Sequence, residues 1–206
     1  MSIHMVNQPT LMLKEGTSRS QGRDAQQANI SAALAIAESI RSSLGPKEMD
    51  KMLVDGFGDV TISNDGATIL DEMEVQHPAA KTIVEIAKTQ DDEVGDGTTK
   101  AVVLAGELLS KALALFDKDV HPTVIVDEYQ TASGKALEFL QKIAIKVTPN
   151  DKAMLRKIAK VSIASKLLAE HRDFVADFAV KAVLQIAEKS GTKYVPDITV
   201  SNNCMF

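Results

Sequence analysis

Cysteine occurs once in the 206 residues, at Cys204, and tryptophan not at all. A lone thiol excludes an intramolecular disulfide and a cysteine-based zinc site. Aromatic residues make up only 4% of the chain, so a core must be built from Ala, Val, Ile and Leu. Positive charge is also short: 23 Lys and Arg stand against 28 Asp and Glu, a formal net charge of -5. That sign is wrong for a protein that tracks nucleic-acid phosphates, and no nucleic-acid partner is expected. Long apolar runs are missing. Runs such as Ala32 to Ala37 and Ala101 to Ala105 are short; a membrane span needs ~18 residues or more, so no membrane partner is expected. The first twenty residues carry Lys14, Glu15 and Arg19 and no apolar signal core, so a cytoplasmic location is expected. What remains, 45% hydrophobic and 25% charged, is the mix of an ordinary globular protein. At roughly 100–200 residues per domain, the length suits one large domain or one domain plus part of another.

The pattern along the chain is mainly helical. Asn7 to Arg23 reads as irregular, with a short strand at Thr10 to Leu13. Asp24 and Gln27 form a capping-box pattern opening a helix, with Ile30, Ala33, Leu34, Ala37, Ile40 and Leu44 on one stripe and Gly45-Pro46 as its stop. Met52 to Val54 and Asp59 to Ile62 flank an Asp-Gly turn and predict a β-hairpin. Two strands alone are marginal in water, so a further strand, from a neighbouring subunit, is expected beside them. Helices are then predicted from Asp65 to about Met73, from His77-Pro78 to about Lys88, and from Thr98 to about Phe116. The last is apolar nearly all round and is expected to be central and buried. His121-Pro122 opens another helix, with Ile125, Tyr129, Ala132, Ala136, Leu140 and Ile143 as its stripe. Thr148 to Asp151 is a break and the best domain boundary. Beyond it lie a helix carrying Leu155, Ile158 and Val161, a helix from about Arg172 to Glu188, and an extended segment, Tyr194 to Val200, with no visible partner.

Gly95-Asp96-Gly97-Thr98-Thr99 is the most informative stretch for chemistry. Glycines let a backbone approach a ligand closely. The hydroxyls that follow sit where a helix begins, and free N–H groups and the helix dipole favour an anion there. Asp96 in such a loop makes sense if a divalent cation bridges it to phosphate oxygens. A plain glycine turn with Thr caps is the alternative. The loop is not a Walker A motif, since nothing matches GxxxxGK[ST]. The acidic run Asp91 to Glu93 is expected as a solvated loop rather than a metal site. Asn64-Asp65-Gly66-Ala67-Thr68 is a second glycine-bearing loop before a helix. Asp65 there is either an N-cap or a carboxylate that orients a water for attack on a phosphoryl group. Leu44-Gly45-Pro46-Lys47 is a third loop, read alone as a helix stop. All four histidines read as structural or solvated. The loops gain meaning together, because they could converge on one phosphate chain.

Leu44-Gly45-Pro46-Lys47, Met49-Asp50-Lys51-Met52-Leu53, Asn64-Asp65-Gly66-Ala67-Thr68-Ile69-Leu70 and Gly95-Asp96-Gly97-Thr98-Thr99 occur in this order. Together they resemble the N-terminal half of a group II chaperonin subunit, of the archaeal thermosome and eukaryotic cytosolic chaperonin type. The resemblance covers about Asn7 to Asp197. Asn64 before Asp65, where bacterial chaperonins carry Lys, favours group II, and Gln76 to Lys81 is similar to archaeal members.

The resemblance implies a mainly α fold: a chaperonin equatorial-domain helical bundle with a small β-hairpin over residues 1–147, then an ascending intermediate-domain segment over 148–206, with the apical domain absent. It implies an ATPase using Mg2+, in which hydrolysis closes a ring of subunits around unfolded polypeptide. Carried over residue by residue, Leu44, Gly45 and Pro46 would line the base, ribose and α-phosphate side. Asp96 would ligate the metal, Gly97, Thr98 and Thr99 would cradle the β- and γ-phosphates beside Asn64, Gly95 and Lys100, and Asp65 would position the attacking water. Lys166 resembles the residue that senses the γ-phosphate. The hairpin would join the termini of a neighbouring subunit. Two residues depart from the family pattern: Lys100 stands where a third Thr is usual, and Glu48 where Gly is usual, in a turn that could want φ > 0. The resemblance also implies a shortened subunit lacking the half that returns to complete the site, with slow or no turnover of ATP. The alternative is a truncated, non-hydrolysing nucleotide-binding or assembly module derived from that family.

Overall fold

The computed structural model describes residues 19–45, 47–164, 170–190 and 193–196, with backbone alone from 189 onward. The expected strand at Thr10 to Leu13 lies outside the described residues, as do Pro46, Lys166 and the end of the Tyr194 to Val200 segment. Among the described residues there are seven α-helices and two hairpins.

The core is made by α1 (Gly22–Ile40), α2 (Gly66–Asp71), α3 (Pro78–Val94) and α4 (Thr98–Phe116). Ala33, Ile36, Ala37 and Ile40 of α1 meet Ile69 and Leu70 of α2, Ala80, Ile83, Val84 and Ala87 of α3, and Val102 of α4. Ile40, Ile69, Leu70 and Val102 are fully buried, each contributing about 1.5–3 kcal/mol of hydrophobic transfer. Small residues let the helices approach. A Cβ built on Gly106 of α4 would lie 2.5 Å from the Ala37 Cβ.

α1 starts two residues before Asp24, and the capping box does not form. The Gln27 amide instead donates to Asp117 Oδ1 at 3.1 Å. Beside it, the Arg23 guanidinium lies 4.8 Å over the Phe116 ring and donates to Asp119 Oδ1 at 2.7 Å. A long-range contact has taken over the Gln27 side chain that a local capping box would use. The helix gives way to a 3-10 turn over Arg41–Ser43 and then to extended Leu44.

The hairpin forms as expected: β1 (Lys51–Val54) pairs antiparallel with β2 (Val60–Ser63), Val54 opposite Val60. Asp55 organises the turn, its Oδ1 accepting from the Phe57 and Asp59 amides at 2.9 and 2.8 Å. Among the described residues these two strands form a sheet of their own.

Further expectations are corrected. Helix α3 runs to Val94, so Asp91 to Glu93 form its exposed last turn rather than a loop; the helix stops only where Gly95 takes a left-handed conformation. α4 is not buried all round: Thr98, Thr99, Val102 and Gly106 are buried, while Leu104, Leu108 and Leu115 are exposed. α5 (Pro122–Ile143) buries only Ile125 of its expected stripe, although the Tyr129 hydroxyl donates to the Leu108 carbonyl at 2.8 Å.

After the break, α6 (Lys152–Ser162) starts at Asp151, whose Oδ1 accepts from the Met154 amide at 3.0 Å. It packs against α7 (Arg172–Ile186), and Arg156 and Lys160 pair with Asp173 across the two helices. α7 ends at Ile186, so Glu188 falls in β3 (Ala187–Ser190). The segment predicted to lack a partner has one: β4 (Lys193–Pro196) pairs antiparallel with β3. No described helix is long and apolar enough to cross a membrane.

Candidate functional site

The site is built where α3 ends and α4 begins. Gly95 (φ 69°) and Gly97 (φ 80°) both take the left-handed conformation that Gly adopts without strain, and Asp96 is held between them. The Gln90 amide donates to the Asp96 carbonyl at 2.8 Å. The Asp96 carboxylate accepts from the Gly97 N–H at 2.7 Å through Oδ1 and from the Ser162 hydroxyl at 2.9 Å through Oδ2. α4 then starts with Thr98 and Thr99, both buried. The first N–H groups of any helix lack intrahelical acceptors and carry the positive end of its dipole.

The second loop is locked to the first. Asp65 is the N-cap of α2, its Oδ2 accepting from the Thr68 amide and hydroxyl, each at 3.1 Å. Its other oxygen accepts from the Thr98 hydroxyl at 3.3 Å. Asp65 is therefore a cap and also a carboxylate at the mouth of α4. Gly66 makes the approach possible: a Cβ there would sit 2.7 Å from the Thr99 backbone nitrogen. The third loop follows α1. Gly45 has φ 103° and the Met49 N–H closes the turn on the Ser42 carbonyl at 2.9 Å. Glu48 does not need φ > 0, since Asp119 is the one non-glycine with positive φ among the described residues. Its Oε1 accepts from the Asn64 amide at 2.8 Å, tying this loop to the second.

The loops enclose one cleft of about 460 Å³. Of the residues singled out from sequence, Leu44, Gly45, Asn64, Asp65, Asp96, Gly97, Thr98, Thr99 and Lys100 line it. Gly95 is not on the lining and serves as the C-cap of α3. Pro46 and Lys166 lie outside the described residues. The sequence reading missed Ser43, Glu48, Val161, Ser162, Ala164 and Arg172, which also line the cleft. Ser162 and Ala164 sit in the run that leads to Lys166, so proximity to that residue was a usable signal. Arg172 had none, because only the pairing of α6 with α7 carries it there.

The cleft sets the free N–H groups at the start of α4 beside three lining carboxylates, Glu48, Asp65 and Asp96. Exposed Lys100 adds a cation in the first turn of α4. Among the described residues no group of three or more His, Cys, Asp or Glu could hold a metal alone. A cation bound by Asp96 would therefore take its other ligands from phosphate oxygens and water, the coordination Mg2+ ordinarily keeps. The donor set fits that combination.

A sequence profile of the TCP-1/cpn60 chaperonin family matches residues 36–202. The chain is 57% identical over 194 residues to a thermosome subunit of Desulfurococcus sp. (strain SY), covering 94% of this chain and 36% of that protein. It is 56% identical over 194 residues to the thermosome subunit beta of Thermococcus kodakarensis, with 94% and 36% covered. With the thermosome subunit alpha of Archaeoglobus fulgidus it shares 57% over 189 residues, covering 92% and 35%. The chain thus spans about a third of the length of these curated relatives.

Proposed function

The chain belongs to the TCP-1/cpn60 chaperonin family, and from that premise we propose that its cleft binds Mg·ATP as the N-terminal part of a chaperonin ATPase site. The observation that supports this most is the convergence of three loops on the N-terminus of α4, with Asp65 and Asp96 both reaching it. In this reading the phosphates lie against the first N–H groups of α4, with Thr98 and Thr99 at their base and Lys100 adding charge. Leu44, Gly45 and Pro46 take the nucleoside side, and Asn64 and Gly95 hold the loops. Asp96 holds the Mg2+, which when bound would neutralise phosphate charge. Asp65, fixed through Oδ1 by the Thr98 hydroxyl, positions the attacking water. Lys166 answers to the terminal phosphate.

The wider proposal is an ATP-dependent protein-folding subunit of the cytoplasm. Residues 1–147 form its equatorial part and 148–206 the start of an intermediate domain. It assembles with other chaperonin subunits in a homo- or hetero-oligomeric ring, and hydrolysis drives closure around unfolded polypeptide. A second reading keeps binding and drops hydrolysis: a nucleotide-binding or assembly module. Lys100 favours it: standing where the family pattern has a third Thr, it keeps charge for holding phosphate but lacks that hydroxyl contact.

Equilibrium titration of the 206-residue chain with ATP, with and without Mg2+, tests the shared claim. Binding that needs Mg2+ and weakens at least tenfold in Asp96→Ala is expected. No saturable binding at millimolar ATP, or an unaffected Asp96→Ala, defeats it. Phosphate release under the same conditions separates the two readings.

A further inference from the structure

Asp96 is solvent-exposed yet held at both carboxylate oxygens. The Gly97 N–H on Oδ1 is a neighbour in sequence. The Ser162 hydroxyl on Oδ2, at 2.9 Å, comes from 66 residues further along, at the last residue of α6. A carboxylate oxygen has two acceptor positions, so each donor leaves one lone pair on its oxygen available to a cation. An exposed aspartate with a single local bond would rotate about its side-chain torsions. Two donors on different oxygens fix the plane of the group. The other carboxylates of the cleft are held by different residues, Asp65 by Thr68 and Thr98 and Glu48 by Asn64. Among these carboxylates, the Ser162 hydroxyl bonds Asp96.

We propose that Ser162 is a positioning residue for Asp96: its hydroxyl orients the carboxylate toward the cation of the bound nucleotide, so the end of α6 sets how much Mg2+ binding requires. The inference rests on the proposed Mg·ATP reading and deepens it. Hydrogen-bond partners behind a ligating carboxylate fix its orientation, and losing one costs roughly 10–100-fold in metal affinity. The hydroxyl is exposed and ends a helix, so its removal leaves the hydrophobic core untouched. Its effect should appear in cation dependence and not in folding.

The test titrates ATP into the 206-residue chain as wild type, Ser162→Ala and Ser162→Thr, at saturating Mg2+ and again in EDTA, following bound nucleotide. For Ser162→Ala the affinity at saturating Mg2+ should fall about tenfold, while the residual affinity without Mg2+ and the unfolding midpoint of the ligand-free chain stay at wild-type values. Ser162→Thr, which keeps the hydroxyl, should titrate like wild type. A Ser162→Ala affinity at saturating Mg2+ coincident with wild type overturns the proposal. So does an equal loss of the Mg2+-free affinity, or a lowered unfolding midpoint, which would mark a structural role. A wild-type chain with no Mg2+-dependent binding overturns the underlying reading and this inference with it.

Discussion

Lys100 sits in the first turn of α4, where the helix dipole repels a cation by about 0.3–1 kcal/mol. Among the described residues no ion pair to Lys100 offsets that cost, whereas a bound polyphosphate would. Lys100→Ala is expected to leave the ligand-free chain as stable or up to about 1 kcal/mol more stable in urea unfolding. The same change should weaken ATP binding several-fold and flatten its salt dependence. Unchanged affinity across salt concentrations would show that Lys100 faces no phosphate. Glu48 is the opposite case. A left-handed turn was the expected difficulty, but the residue has no positive φ and its carboxylate is tied to Asn64. Asp65 shows why two readings stayed open in the sequence. One oxygen caps α2 and the other meets Thr98, so neither role excludes the other.

Helix packing depends on contacts too close for any side chain. Gly106→Ala would drive a methyl into Ala37, and overpacking of this kind costs about 1–3 kcal/mol. Its unfolding free energy should fall by that amount, with partial recovery in Gly106→Ala/Ala37→Gly. No recovery would mean that the clash lies elsewhere. Arg41 after α1 and Glu107 of α4 form an ion pair across the same interface. The hydrogen bond from Arg41, then its charge, hold the Glu107 carboxylate below its ordinary pKa. Glu107 therefore contributes to stability above the ordinary carboxylate pKa, and the contribution is lost as pH falls through its lowered value. Arg41→Ala should narrow the stability gap from wild type only in that acidic range; a pH-independent gap would refute the pairing. Elements with strong local punctuation were legible. The bounds Thr98 and Phe116 of α4 follow from Gly97 before it and from the Asp-Lys-Asp that succeeds it. The charges at the end of α3 read as a loop, whereas only Gly95 ends the helix. Ala187 and Glu188 suit a helix, and only pairing with β4 makes them extended.

At the scale of the whole molecule, the motif-bearing loops were legible because each carries its own glycine and helix start. The contribution of α6 and α7 was not, since it depends on tertiary packing that no local pattern encodes. The same packing leaves large apolar side chains outside: Leu104 and Leu108 of α4, and Leu137, Phe139, Leu140 and Ile143 of α5, are exposed. Surfaces of this kind mark contact sites or association. The 206-residue chain should bind a hydrophobic dye and self-associate in sedimentation as concentration rises; a dye-silent monomer would contradict that. The central claim is that three separated loops hold one nucleotide. Its most direct measurement is a backbone amide NMR titration of the chain with Mg·ATP. The account predicts saturable shifts at Leu44 and Gly45, at Asn64 and Asp65, and at Gly97 to Lys100, all with one binding constant. Shifts confined to a single loop, or absent at millimolar nucleotide, would contradict it.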